Sequence, residues 1–129
     1  MQQKLLYRWY DPDRLSRKRN FESLLPSSDI YSLGLLFWEI VWCRAGNLPF
    51  KEVPIKKLYE HLRNNNHEKL PEMPEDYKSW KNLISRMWKF KSEDRCNIKT
   101  VESAMLKLYK VRTDSASSVT SVLTLPQNN

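Results

Sequence analysis

The longest apolar run falls between residues 28 and 42, Ser-Asp-Ile-Tyr-Ser-Leu-Gly-Leu-Leu-Phe-Trp-Glu-Ile-Val-Trp. From Ile30 to Trp42 only Ser32, Gly34 and Glu39 are not large apolar or aromatic residues. At 3.6 residues per turn these side chains fall on every side of a helix, which predicts an element buried all round rather than along one stripe. Ile, Phe, Val and Trp would also suit a buried strand. The length of the run, Pro26, the capping hydroxyls of Ser27 and Ser28, and Asp29 in the first turn argue for helix. Thirteen residues fall short of the roughly 20 needed to cross a bilayer.

Three more segments carry helical periodicity. Ile55, Leu58, Tyr59 and Leu62 share one face, ended by Asn64-Asn65-Asn66. Trp80, Leu83, Ile84, Met87 and Trp88 share another, within a helix expected over 76–90. Ile98, Val101, Met105, Leu108 and Tyr109 define a last helix over 98–111. Pro12 favours extended geometry at Asp11 and a short helical turn from Asp13 to about Leu15. Residues 17–25 read as an exposed loop or short helix. Gly46, Asn47, Pro49 and Pro54 make a loop after the central helix, and Pro71 and Pro74 keep the stretch between the next two helices extended. No period-2 strand pattern stands out. Residues 113–129, rich in Ser, Thr and Asn, are expected to be disordered, with hydroxyls such as Ser115 and Ser121 open to phosphorylation. The expected fold is therefore mainly α, about four helices over residues 1–112, followed by a disordered Ser/Thr-rich tail.

Composition narrows the function classes. The 129 residues suffice for one domain with a modest core. Twenty-two basic against 15 acidic residues give +7, which favours anionic partners without naming one. No basic block interleaves with exposed aromatics, and no helix-turn-helix or zinc-finger spacing occurs, so no specific nucleic-acid contact is expected. Cys43 and Cys96 lack metal-ligand spacing. Without a signal peptide they read as free thiols of a reducing, cytoplasmic location. His61 and His67 read as surface histidines, and no membrane contact is expected.

The central run resembles the central helix in the C-terminal lobe of protein kinases, of the tyrosine-kinase-like and tyrosine kinase type, whose pattern is Ser-Asp-Ile/Val-Tyr/Trp-Ser-Leu/Phe-Gly followed by Trp-Glu-Ile/Leu. Its flanks follow in family order. Asp11-Pro12-Asp13 resembles the Ala-Pro-Glu end of the activation segment, with Asp in place of Glu. Leu48-Pro49-Phe50 resembles the Pro-Phe/Tyr after the central helix. Leu83-Ile84, Trp88 and Arg95 fall at the spacing of the last two lobe helices, with Lys91, Ser92 and Cys96 departing from Asp, Pro and Pro.

The resemblance implies a helical kinase-like C-lobe piece with a buried ion pair between Asp13 and Arg95, built around a central helix marked by Asp29, Trp38 and Glu39. It also implies that Arg8, Trp9 and Tyr10 lie beside a substrate peptide, with Leu58 and Tyr59 on a helix that docks substrates or partners. The Gly-rich loop, strand Lys, His-Arg-Asp and Asp-Phe-Gly motifs that kinases use for ATP and Mg²⁺ do not occur in these residues. No catalytic, cofactor-binding or metal residue is assigned, and ATP and Mg²⁺ are expected only of an intact parent kinase. Without that cover, part of the central helix should present apolar surface for a protein partner or self-association.

Overall fold

A computed structural model describes residues 5–16, 25–41 and 48–123. Five α-helices occur there, named α1 (Pro12–Leu15), α2 (Pro26–Val41), α3 (Ile55–Arg63), α4 (Lys78–Met87) and α5 (Ile98–Leu123), with short 3₁₀ turns at Leu6–Trp9, Glu75–Tyr77 and Ser92–Asp94. Among the described residues there is no strand, as the missing period-2 pattern predicts.

The sequence places α2 as the central helix, and the structure packs it against α4. Gly34 is what lets the two helices approach. A Cβ built there would stand 3.0 Å from the Met87 Cβ and 3.7 Å from the Met87 carbonyl carbon. Ile30, Tyr31, Leu35, Phe37 and Trp38 of α2 join Leu83, Ile84 and Met87 of α4, Leu58 and Leu62 of α3 and Val101 of α5 in one core. Phe37 meets Trp80 edge to face, with ring centroids 5.3 Å apart.

The helix ends show what sets their lengths. Pro26 opens α2, where a missing amide proton costs nothing, so Ser27 and Ser28 lie inside the helix rather than capping it. The predicted helix over 76–90 is divided into a 3₁₀ turn and the shorter α4. It closes when the Trp88 amide donates to the Ile84 carbonyl, leaving Phe90 in the following turn. Asn65 terminates α3 in the left-handed region with φ 61°, a conformation Asn tolerates better than most residues.

Helix α5 runs through residues 113–123 to Leu123. No Gly or Pro interrupts the chain between Pro74 and Pro126, and Ser and Thr lower helix propensity without breaking a helix already propagating. The Thr113 hydroxyl donates back to the Tyr109 and Lys110 carbonyls, at 3.1 and 2.9 Å. The proposed last-helix face is also divided, since Val101 and Leu108 are buried while Ile98 and Tyr109 are mostly exposed. Trp42, the Cys43–Asn47 part of the loop, residues 17–24 and residues 124–129 lie outside the described residues.

Candidate functional site

The ends of three segments meet at one guanidinium. Arg95 follows the short turn after α4, and its side chain is wholly buried. Its Nε donates to the Lys89 carbonyl at 2.8 Å, and its Nη2 to the Phe90 carbonyl at 3.0 Å. Its Nη1 donates to the Ser27 carbonyl at 2.9 Å and to Asp11 Oδ2 at 3.2 Å. The guanidinium carbon also sits 5.0 Å from the centre of the Tyr31 ring. The planar five-donor group thus ties the α4–α5 turn to the first turn of α2 and to the Asp-Pro-Asp segment.

The acidic partner is Asp11, which corrects the expected Asp13. Asp11 is the N-cap of α1, with extended backbone (φ −67°, ψ 161°) ahead of Pro12. Its Oδ1 accepts from the Arg14 amide at 3.1 Å, and its Oδ2 from the Ser28 hydroxyl at 3.0 Å as well as from Arg95. Asp13 is on the exposed side of α1. The reason is local: once Pro12 fixes the first helical position, the residue before it aims its carboxylate into the helix start and the core behind, while the residue after it faces out. A signal for this was present in the sequence, because Asp followed by Pro and then by an amide three residues on is an N-cap pattern.

Burial pushes the Tyr31 hydroxyl well above its ordinary range, with the Arg95 charge pulling it partly back. Burial likewise raises the Cys96 thiol, opposed by Arg86. Cys96 is free of any disulfide.

The segment expected to lie beside a substrate is held by the same helices. Ser32 donates to the Trp9 carbonyl at 2.7 Å, and the Trp9 indole donates to Glu39 Oε1 at 2.6 Å. Trp9 is thereby laid along α2 between two side chains seven residues apart, about two turns. Glu39 thus serves to anchor Trp9, and Trp38 on the neighbouring face donates its indole proton to the Lys69 carbonyl at 3.1 Å. Asp29 is exposed in the first turn of α2. Arg8 Nη1 donates to the Phe50 and Pro49 carbonyls. The Phe50 turn that receives it has φ 53° and is held by Glu68 Oε1, which accepts from the Phe50 amide. Tyr10 is half-buried, edge-on to Tyr7 and beneath the Arg14 guanidinium at 5.3 Å.

Of the two docking residues expected on α3, Leu58 is corrected, because it is fully buried in the core and has no surface to offer. Tyr59 is half-buried against Phe90. His61 meets the edge of Phe50 and His67 stacks on Trp88, so both serve as ring partners. Among the described residues no group of three His, Cys, Asp or Glu could hold a metal ion, and no helix is long and apolar enough to cross a membrane.

A family model described as protein tyrosine and serine/threonine kinase matches residues 1–105. The chain is 28% identical over 102 residues to mouse tyrosine-protein kinase ZAP-70 and 29% identical over 103 residues to the human protein of that name, each alignment covering 79% of this chain and 15% of the relative. It is 26% identical over 109 residues to a probable serine/threonine-protein kinase of Dictyostelium discoideum, covering 84% of this chain and 8% of the relative. The chain thus spans less than a sixth of the length of these relatives. With the family's motifs in order along the sequence, Arg95 buried on a carboxylate from the Asp-Pro-Asp segment, and the match covering most of the residues, the chain belongs to the protein tyrosine and serine/threonine kinase family.

Proposed function

We propose that these residues form the substrate-side helical part of a kinase C-lobe and do not carry phosphotransfer themselves. The observation that carries the reading is the way residues 8–16 are fastened. Asp11 is clamped by Arg95, Trp9 by Ser32 and Glu39, and Arg8 by the Pro49–Phe50 turn. This fixes a surface segment, where a kinase would present a substrate peptide, onto a rigid helical base. The motifs that would hold ATP and Mg²⁺ are missing from the sequence, so a parent chain would have to supply them to phosphorylate Ser, Thr or Tyr of a protein. The docking surface then consists of Tyr10 and Tyr59, with Trp9 and Arg8 positioning it from beneath. The free Cys96 thiol suits a reducing, cytoplasmic setting.

Titration of the purified 129-residue chain with a fluorescent ATP analogue, with and without Mg²⁺, tests this. The expected result is no saturable binding and no transfer of labelled phosphate to a protein substrate. Mg²⁺-dependent saturable binding would overturn it.

A second reading, a non-catalytic module that binds a protein or a second copy of itself, is favoured by one feature of α2. Leu36 is 46% and Ile40 57% exposed, one turn apart on the same face. Concentration-dependent sedimentation of the wild-type chain, abolished by Leu36→Lys with Ile40→Lys, supports self-association. A monomer at all concentrations removes that arm.

A further inference from the structure

Between α4 and α5 lies an open groove of about 510 Å³. Its apolar lining comes from Leu83, Ala104 and Leu108, whose other sides belong to the core or pack near it. Its cations are Arg86 at the end of α4 and Lys99 and Lys107 on α5. No acidic residue lines it; Asn82 and Ser103 supply neutral hydrogen-bonding groups between the charged ends.

What sets these three cations apart is that they line one concavity with no acidic residue in its lining. Among the described residues, the ion pairs of Arg63, Lys78, Lys81 and Arg95 involve none of Arg86, Lys99 and Lys107. Helix α4 contains no Asp or Glu at all. The first turn of α5 is also without an acidic residue, and Glu102 does not line the groove. Like charges gathered around a concave surface raise the local potential and favour an anionic visitor.

We propose that the α4–α5 groove binds an acidic peptide segment of a partner protein. The dimensions select a peptide over a lone anion. Lys99 and Lys107 are eight residues apart on one helix, about 12 Å along its axis. An extended chain covers that distance in about four residues at roughly 3.3 Å each. Alternating side chains of such a segment point to opposite sides, so carboxylates can follow the cations while apolar side chains turn to Leu83, Ala104 and Leu108. This inference stands apart from the proposed kinase role, since the groove shares no residue with the Arg8–Asp11 segment or with α3.

The test uses the full chain and a fluorescein-labelled heptapeptide of alternating Glu and Leu, followed by fluorescence anisotropy at physiological salt. The expected result is saturable binding of this peptide and none of its Lys-Leu counterpart. Lys99→Glu with Lys107→Glu should weaken binding at least tenfold, and adding Arg86→Glu should abolish it, with unchanged helical circular dichroism. A charge-matched control, Lys51→Glu with Lys89→Glu and Lys91→Glu, should bind within about threefold of the parent, as distant surface charges act only through a screened field. Equal loss in the control, or no binding to the parent, overturns the proposal. Displacement of the peptide by a single-stranded oligonucleotide of equal or higher affinity overturns the assignment to a protein partner.

Discussion

Both sides of α2 carry large apolar residues, and their fates are opposite. One side, with Tyr31, Gly34, Leu35 and Trp38, is buried against α4, the Arg95 guanidinium and the segment after α3. The other carries Leu36 and Ile40, and both are about half exposed. Hydrophobicity alone does not separate Leu35 from Leu36. The first side is specified by groups of which each has one fitting partner: a glycine at a backbone approach, an indole N–H with a carbonyl, and a ring under a cation. The second has apolar area without such partners, which leaves its eventual cover open.

Removing the cation that closes the first side should have the largest effect. Arg95→Ala strands the buried Asp11 carboxylate and takes a donor from three carbonyls, so denaturant unfolding should show a loss of about 3–5 kcal/mol. Asp11→Ala should approach that loss, while the exposed Asp13→Ala should stay within about 0.5 kcal/mol. The reverse ranking of the two aspartates would break the comparison. Next comes Gly34→Leu, which forces a side chain into the 3.0 Å gap facing Met87 and should cost about 1–3 kcal/mol or more by the same measurement.

Trp38→Phe keeps most of the buried ring and removes the bond to the Lys69 carbonyl, for an expected loss of about 1 kcal/mol. The opposite side should respond differently. Leu36→Ser with Ile40→Ser should change monomer stability by less than about 1 kcal/mol, since little burial is lost, while reducing any self-association seen by sedimentation.

The smallest effect is a pH dependence at the alkaline end. Tyr31 has its pKa raised above the ordinary 10.0 in the folded chain, mainly by burial. The neutral phenol is therefore favoured by folding. Its contribution is complete below pH 10 and is lost as pH rises beyond it, because the unfolded chain then releases a proton that the folded chain retains. Tyr31→Phe should flatten this part of the stability profile, and an unchanged slope would show that other groups set it.

Much of this was legible in order along the chain. The apolar run from Ile30 gave α2, and the 3–4 spacing of Leu58 with Leu62 and of Leu83 with Met87 gave the cores of α3 and α4. Less was legible where one residue's place depends on a distant one. Asp11 and Asp13 flank the same proline, and a family likeness favoured the second. The N-cap geometry at α1 and the arrival of Arg95 from 84 residues away selected the first. The kinase resemblance puts Leu58 on a helix that docks substrates or partners, yet its side chain lies against the core. Residues 113–123 contain no breaking residue, and α5 runs on through them.

By itself the sequence determined the kinase-like helical class, the position of its central helix and Arg95 as a residue with a buried charge to satisfy. The helices follow from local periodicity, and the class and the buried Arg95 charge from the kinase resemblance that short motifs carry. Only the tertiary structure decided which carboxylate meets that charge, which side of α2 is left bare, and that Arg86, Lys99 and Lys107 converge on one groove. Such outcomes depend on how segments tens of residues apart are brought within a few ångströms, and no local pattern encodes that distance.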